Sequence, residues 1–236
     1  MQPSSETLSG TASIPPLQPQ AENFEQTHYF STFANWIIPS HVVLGRYPYV
    51  EPGDPKTHER RTHEGEEQLR RILNAGITTF ICLQATSCEQ NPPQQEMERA
   101  RLLARAIGTP PGTQEVNGLR NQHDRLRSEP TRKQTTLHFE HWSIKDFCIP
   151  TAEQAREITT DIRTLLESGE KVYMHCFGGA GRSGTLGACL LGDLYRIDAE
   201  EALMRIQKAF NTRGGGGESP ETEEQIEFVK RYLSRS

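Results

Sequence analysis

Cys176 and Arg182 stand six positions apart in the run His175-Cys176-Phe177-Gly178-Gly179-Ala180-Gly181-Arg182-Ser183. A cysteine is a strong nucleophile as its thiolate, and converging backbone amides with a nearby arginine favour that form. An arginine fork can hold two oxygens of one oxyanion at once. The glycines between them let successive N–H groups point at one centre without side chains in the way. Sulfur beneath a bound oxyanion, with donors already in place for the equatorial oxygens, is the arrangement needed for attack on phosphorus.

Such a loop needs elements to hold it. Val172 to Met174 is a short apolar strand leading in, and the apolar residues after Ser183 run on to Tyr195 as a helix. Strand, glycine turn and helix N-terminus make an anion site, because first-turn amides lack helical partners and the helix dipole adds partial positive charge. A nucleotide-binding loop would need Lys before Ser/Thr, where Arg182 stands. An ordinary buried thiol is the plainest rival for Cys176.

Attack on a phosphoester expels an oxygen that needs a proton, and a carboxylic acid on a neighbouring loop can supply it. Asp146 is the candidate. It lies between a strand and a helix in Ser143-Ile144-Lys145-Asp146-Phe147-Cys148-Ile149-Pro150. Asp124 falls in an irregular stretch and Asp161 inside a helix, so both are poorer choices.

The chain has 236 residues, 34% hydrophobic, with net charge -5. That suits one domain with long solvated segments. Nothing basic overall points to nucleic acid, and no apolar run approaches the length of a membrane span. Five cysteines form no CxxC pair, and neither they nor the eight histidines show metal spacing, so no metal or cofactor is expected. The start shows no secretory signal, and the expectation is a cytoplasmic or nuclear monomer.

Residues 1–27 are rich in Ser, Thr, Pro, Gln and Glu and read as a disordered tail, with the domain over 28–236. Ile37–Ile38 and Val42–Leu44 form a strand pair, and residues 51–64 a polar loop. A helix spans 65–75 with Leu69, Ile72 and Leu73 inward, and 77–83 is a buried strand. A second helix covers 94–107, and 108–134 is a polar insertion. A strand over 136–144 follows. Thr151 and Gln154 then form a capping box for a helix with Ala155, Ile158, Ile162, Leu165 and Leu166 inward. Asp198 and Glu201 make a second capping box, for 199–210. Ser219 caps the last helix with Pro220 at its first position. Arg213 and Gly214–Gly217 border the pocket mouth. The order of helices and apolar strands implies an α/β fold, a central mostly parallel sheet flanked by helices.

The His-Cys-x5-Arg-Ser loop resembles the signature of the cysteine-based protein tyrosine and dual-specificity phosphatases, nearest the kinase-associated, dual-specificity-like group. The resemblance implies that fold at dual-specificity size. It also implies phosphoprotein hydrolysis, at phosphotyrosine and at phosphoserine or phosphothreonine, through a phosphocysteine. Cys176 is then the nucleophile and Arg182 the phosphate clamp. The backbone of Phe177, Gly178, Gly179, Ala180, Gly181 and Arg182 binds phosphate, Asp146 is acid and then base, and Ser183 donates to the departing thiolate. His175 supports the thiolate. Gln225 matches a glutamine that positions water in the longer tyrosine-specific members, but Glu221 stands where a first glutamine would be. The 143–150 segment fits the family's acid loop except for Ser143 in place of a proline. Other readings are a phosphoinositide or small phosphoester phosphatase, a non-catalytic phosphoprotein-binding module and a sulfurtransferase. Uncharged Phe177 and Ala180 weigh against polyanionic lipids.

Overall fold

The computed structural model describes residues 13–20, 22–48, 58–85 and 137–234. In chain order the elements are helix α1 (Phe24–His28), strands β1 (Tyr29–Ser31), β2 (Ala34–Ile38) and β3 (Val42–Arg46), helix α2 (His58–Asn74), and strands β4 (Thr79–Gln84) and β5 (His138–Ile144). Helix α3 (Ala152–Glu167), strand β6 (Val172–Cys176) and helices α4 (Gly181–Tyr195), α5 (Ala199–Asn211) and α6 (Glu223–Leu233) follow. The helix expected over 94–107 and the insertion over 108–134 lie outside the described residues.

The strands form one sheet in the order β1-β2-β3-β6-β4-β5. The four strands β3, β6, β4 and β5 run parallel, and β1 and β2 join antiparallel at one side. This is the expected mostly parallel α/β sheet. Strand β6 lies inside it, buried at every position, which is why its sequence is a continuous apolar run rather than an alternation. Val172, Met174 and Cys176 face a core with Ile158, Leu190, Ile206 and Val229 from α3 to α6. Tyr173 faces a second core with Leu69 and Ile72 of α2. Burying each such aliphatic side chain stabilises the fold by about 1.5–3 kcal/mol.

Helix α4 is gripped closely on several sides, and glycines make the approach possible. A Cβ at Gly184 would overlap the Ser219 hydroxyl, and one at Gly192 would overlap Leu233. A Cβ at Gly187 would come 2.6 Å from Leu44 Cδ1.

Several expectations change. Helix α2 begins at His58, within the stretch read as a loop; Glu and Arg are good helix formers, so helix continues there without an apolar stripe to announce it. Ser219 does not cap α6. Thr222 does, in a full capping box with Gln225. Asp198 accepts from the Glu201 amide, but the Glu201 carboxylate takes Arg205 at 2.7 Å instead of closing the box. Part of the stretch read as a tail packs on the domain. Phe24 in α1 is buried, and the carbonyls of Pro15 and Gln18 accept hydrogen bonds from Tyr195 and Arg205.

Candidate active site

The parallel pairing of β6 with β3 sets Cys176 opposite Arg46 and His175 opposite Gly45, at the carboxyl ends of the strands. Beyond Cys176 the chain turns back against β3. The Tyr47 amide donates to the Phe177 carbonyl at 3.2 Å. Gly179 has φ of +76°, and a Cβ there would overlap the backbone of Gly45 and Arg46. A glycine is required at this point for both backbone angle and space. The tight turn delivers the Gly179 N–H to Cys176 Sγ at 3.2 Å, with Ser183 Oγ at 3.5 Å from the same sulfur. Cys176 is 2% exposed. His175, fully buried, packs its ring near those of Tyr47 and Tyr173.

Arg182, in the first turn of α4, is buried along its length. One Nη donates to the Ile144 carbonyl at 3.0 Å, and the other lies 2.7 Å from Asp146 Oδ1. Asp146 thus comes to the loop from the segment after β5, with its side chain part-exposed. Its Oδ1 also accepts from the Phe147 amide at 3.1 Å. Phe147 takes a left-handed φ of 58° and exposes its ring to solvent beside the carboxylate.

The segment from Ser219 to Gln225 clasps the other side of the loop. Ser219 Oγ donates to the Ala180 carbonyl at 2.9 Å. The Gly181 amide donates to Glu221 Oε2 at 2.9 Å. Gln225 is buried and its amide is spent on the backbone: Oε1 accepts from Glu221 and Thr222, and Nε2 donates to the Cys148 carbonyl. It ties the segment after Asp146 to the clasp. Ser219 was hard to find in sequence, because Ser-Pro before a helix reads as a cap.

Arg213 does not border the pocket mouth. It turns inward, donating to Asn35 Oδ1 at 2.7 Å and to the Leu44 carbonyl at 3.0 Å. Burial brings its guanidinium down to about 10, with Tyr173 and Cys176 pulling it up and Arg46 pushing it down. Cys189 lies buried deep in α4. Burial, and then the charge of Asp193, push it well above the ordinary thiol range. No helix among the described residues is long and apolar enough to cross a membrane.

Cys176, Arg182 and Asp146 thus meet around a glycine loop between a parallel strand and a helix, and known proteins share this fold. The family model described as "Polymorphic toxin system, DSP-PTPase phosphatase" matches residues 111–193. The fold matches that of Tk-PTP in its active form, with a TM-score of 0.55 and 22% identity over 86% of this chain and 97% of that one. It also matches kinase-associated phosphatase carrying a serine at its catalytic cysteine, with a TM-score of 0.53 and 18% identity over 82% of this chain and 86% of that one. Loop, fold and family model are all similar to those of the cysteine-based dual-specificity phosphatase superfamily. The chain is also similar to cyclin-dependent kinase inhibitor 3 of Rattus norvegicus, 33% identical over 92 residues, a match spanning 39% of each chain.

Proposed function

We propose that the chain is a phosphoprotein phosphatase that hydrolyses phosphotyrosine, and phosphoserine or phosphothreonine as well, through a phosphocysteine. The observation that carries this reading is the arrival of Asp146 at 2.7 Å from Arg182, which sets a carboxylic acid beside the arginine of the Cys176 loop.

In the first step the Cys176 thiolate attacks phosphorus and the bond to the leaving oxygen breaks. Asp146, protonated, gives that oxygen its proton. Arg182 keeps its bond to the Ile144 carbonyl and turns the other arm of its fork from Asp146 to the phosphoryl oxygens, which frees the acid. In the second step ionised Asp146 takes a proton from water as the water oxygen attacks phosphorus. The sulfur–phosphorus bond breaks, and Ser183 donates to the thiolate as it departs. Inorganic phosphate leaves.

The exposed Phe147 ring beside Asp146 supports an aryl leaving group, since it gives a flat apolar wall where that group emerges. Aryl phosphate hydrolysis with EDTA present, by wild type and Cys176→Ser, tests the reading. Turnover that survives EDTA and is lost in the variant is expected. Absent turnover in wild type, with tight phosphopeptide binding by both proteins, would replace it with a binding module. The same assay on phosphotyrosine, phosphothreonine and phosphoinositide substrates sets the class.

A further inference from the structure

The loop that is to receive a phosphoryl group already holds an anion of its own. The Gly181 amide is the first of helix α4 and one of those expected to bind phosphate, and here it donates to Glu221 Oε2 at 2.9 Å. A helix N-terminus attracts negative charge, so the contact is favourable. Everything around it is shaped to let the carboxylate in. Gly181 has no side chain, and a Cβ there would meet Glu221 Oε2 and the Gln225 amide at 2.5–3.0 Å. The Glu221 backbone is held by Gln225 Oε1 at 3.1 Å, and the neighbouring Ser219 hydroxyl is fixed on the Ala180 carbonyl. Yet the Glu221 residue itself is exposed, so its carboxylate has solvent to swing into. The backbone is fixed, while the charged end is held at the Gly181 amide from an exposed side chain.

We infer that Glu221 is a resident competitor: its carboxylate occupies the Gly181 amide in the resting site and is displaced when a phosphoryl group takes that N–H. This rests on the phosphatase reading for its consequence in turnover, though not for its consequence in anion binding. Two anions cannot share one donor at close range without repulsion, so each binding event must break the Glu221 contact and move its charge away. The device weakens the hold on every oxyanion, product phosphate included. It acts most strongly against substrates with further phosphates near the clasp, where the displaced carboxylate remains a neighbour. Glu221 therefore sets specificity as well as affinity, favouring monophosphorylated substrates over polyphosphorylated ones.

Glu221→Gln keeps an oxygen acceptor and removes the charge, and Glu221→Ala removes both. Binding of inorganic phosphate to the full chain, by calorimetry, is expected to tighten about tenfold in each, the equivalent of about 1.4 kcal/mol. KM for an aryl monophosphate falls in parallel while kcat changes little, and the relative rate on a bisphosphorylated substrate rises. Thermal midpoints fall slightly, because a charge-assisted contact at a helix end is lost. A purely structural Glu221 predicts the same fall in midpoint with phosphate binding unchanged or weaker, and that result overturns the inference. Absence of phosphate binding in all three proteins also overturns it. Calorimetry does not depend on turnover. An inactive wild type whose phosphate affinity still rises in both variants would defeat the phosphatase reading and leave the competitor standing.

Discussion

Arg182 and Arg213 are both buried near strand β6, 1% and 8% exposed, and they do opposite things with the same side chain. Arg182 spends one arm on a carbonyl and the other on a carboxylate from a part-exposed loop. In the proposed reaction that second partner is exchanged for a phosphoryl group of like charge. Arg213 has both its bonds on neutral oxygens of β2 and β3, and among the described residues no carboxylate meets it. It is a brace whose charge is tolerated rather than used. What separates a clamp from a brace is the charge and mobility of the partner, and burial alone says nothing about it.

The comparison can be broken first at Arg182. Arg182→Lys keeps the charge and loses the fork, and turnover should fall about 10³-fold with the fold intact, as removal of a fixed oxyanion donor does elsewhere. A loss below tenfold in steady-state rates would mean that the fork is not the clamp. Asp146→Asn comes next. It removes the exchangeable partner, and kcat should drop on the order of 10²-fold, more for alkyl than aryl phosphates, because a poor leaving group depends more on the acid. Denaturant titration should find stability within about 1 kcal/mol of wild type, the pair being part-exposed.

Arg213→Met should show the reverse pattern. Asn35 and the Leu44 carbonyl lose a buried donor, and stability should fall by about 1–3 kcal/mol, with turnover per folded molecule within about tenfold of wild type. A larger loss of rate at unchanged stability would make Arg213 part of the site.

The smallest effect concerns pH. Burial lowers Arg213 from the ordinary arginine range to about 10, so the folded protein holds this proton less tightly than the unfolded chain. Below pH 10 both states are protonated and the cost is constant. Above about 10 and up to the ordinary arginine range the unfolded state binds more protons, so this group's contribution to stability rises with pH. Stability curves of wild type and Arg213→Met should therefore run parallel from pH 6 to 9. A gap that widens across that window would contradict the assignment.

Much of this was legible in the chain, for physical reasons that differ by region. The loop's geometry could be read because Cys176, the glycines, Arg182 and Ser183 fall in one short run between a strand and a helix, and that run constrains the backbone. The cap at Thr151 could be read because both halves of its box are local and both are made. The clasp could not. Ser219 and Thr222 are both good caps, and the tertiary contact of Ser219 with Ala180 leaves the capping role to Thr222. Glu201 failed its box because Arg205, one turn on, competes for it. Arg213 beside four glycines looks like an exposed turn. Its inward direction is set by Asn35, far away in sequence, and no periodicity carries that information.

Helix α4 has a consequence for anyone seeking a sturdier form of the protein. In an exposed helix, replacing glycine by alanine gains about 1 kcal/mol. At Gly184, Gly187 and Gly192 the methyl group would land on Ser219, Leu44 and Leu233. The propensity scale is turned upside down along this helix. The substitutions that a stability-minded engineer would try first are the ones it should reject, and the damage would travel along the helix to the loop at its head.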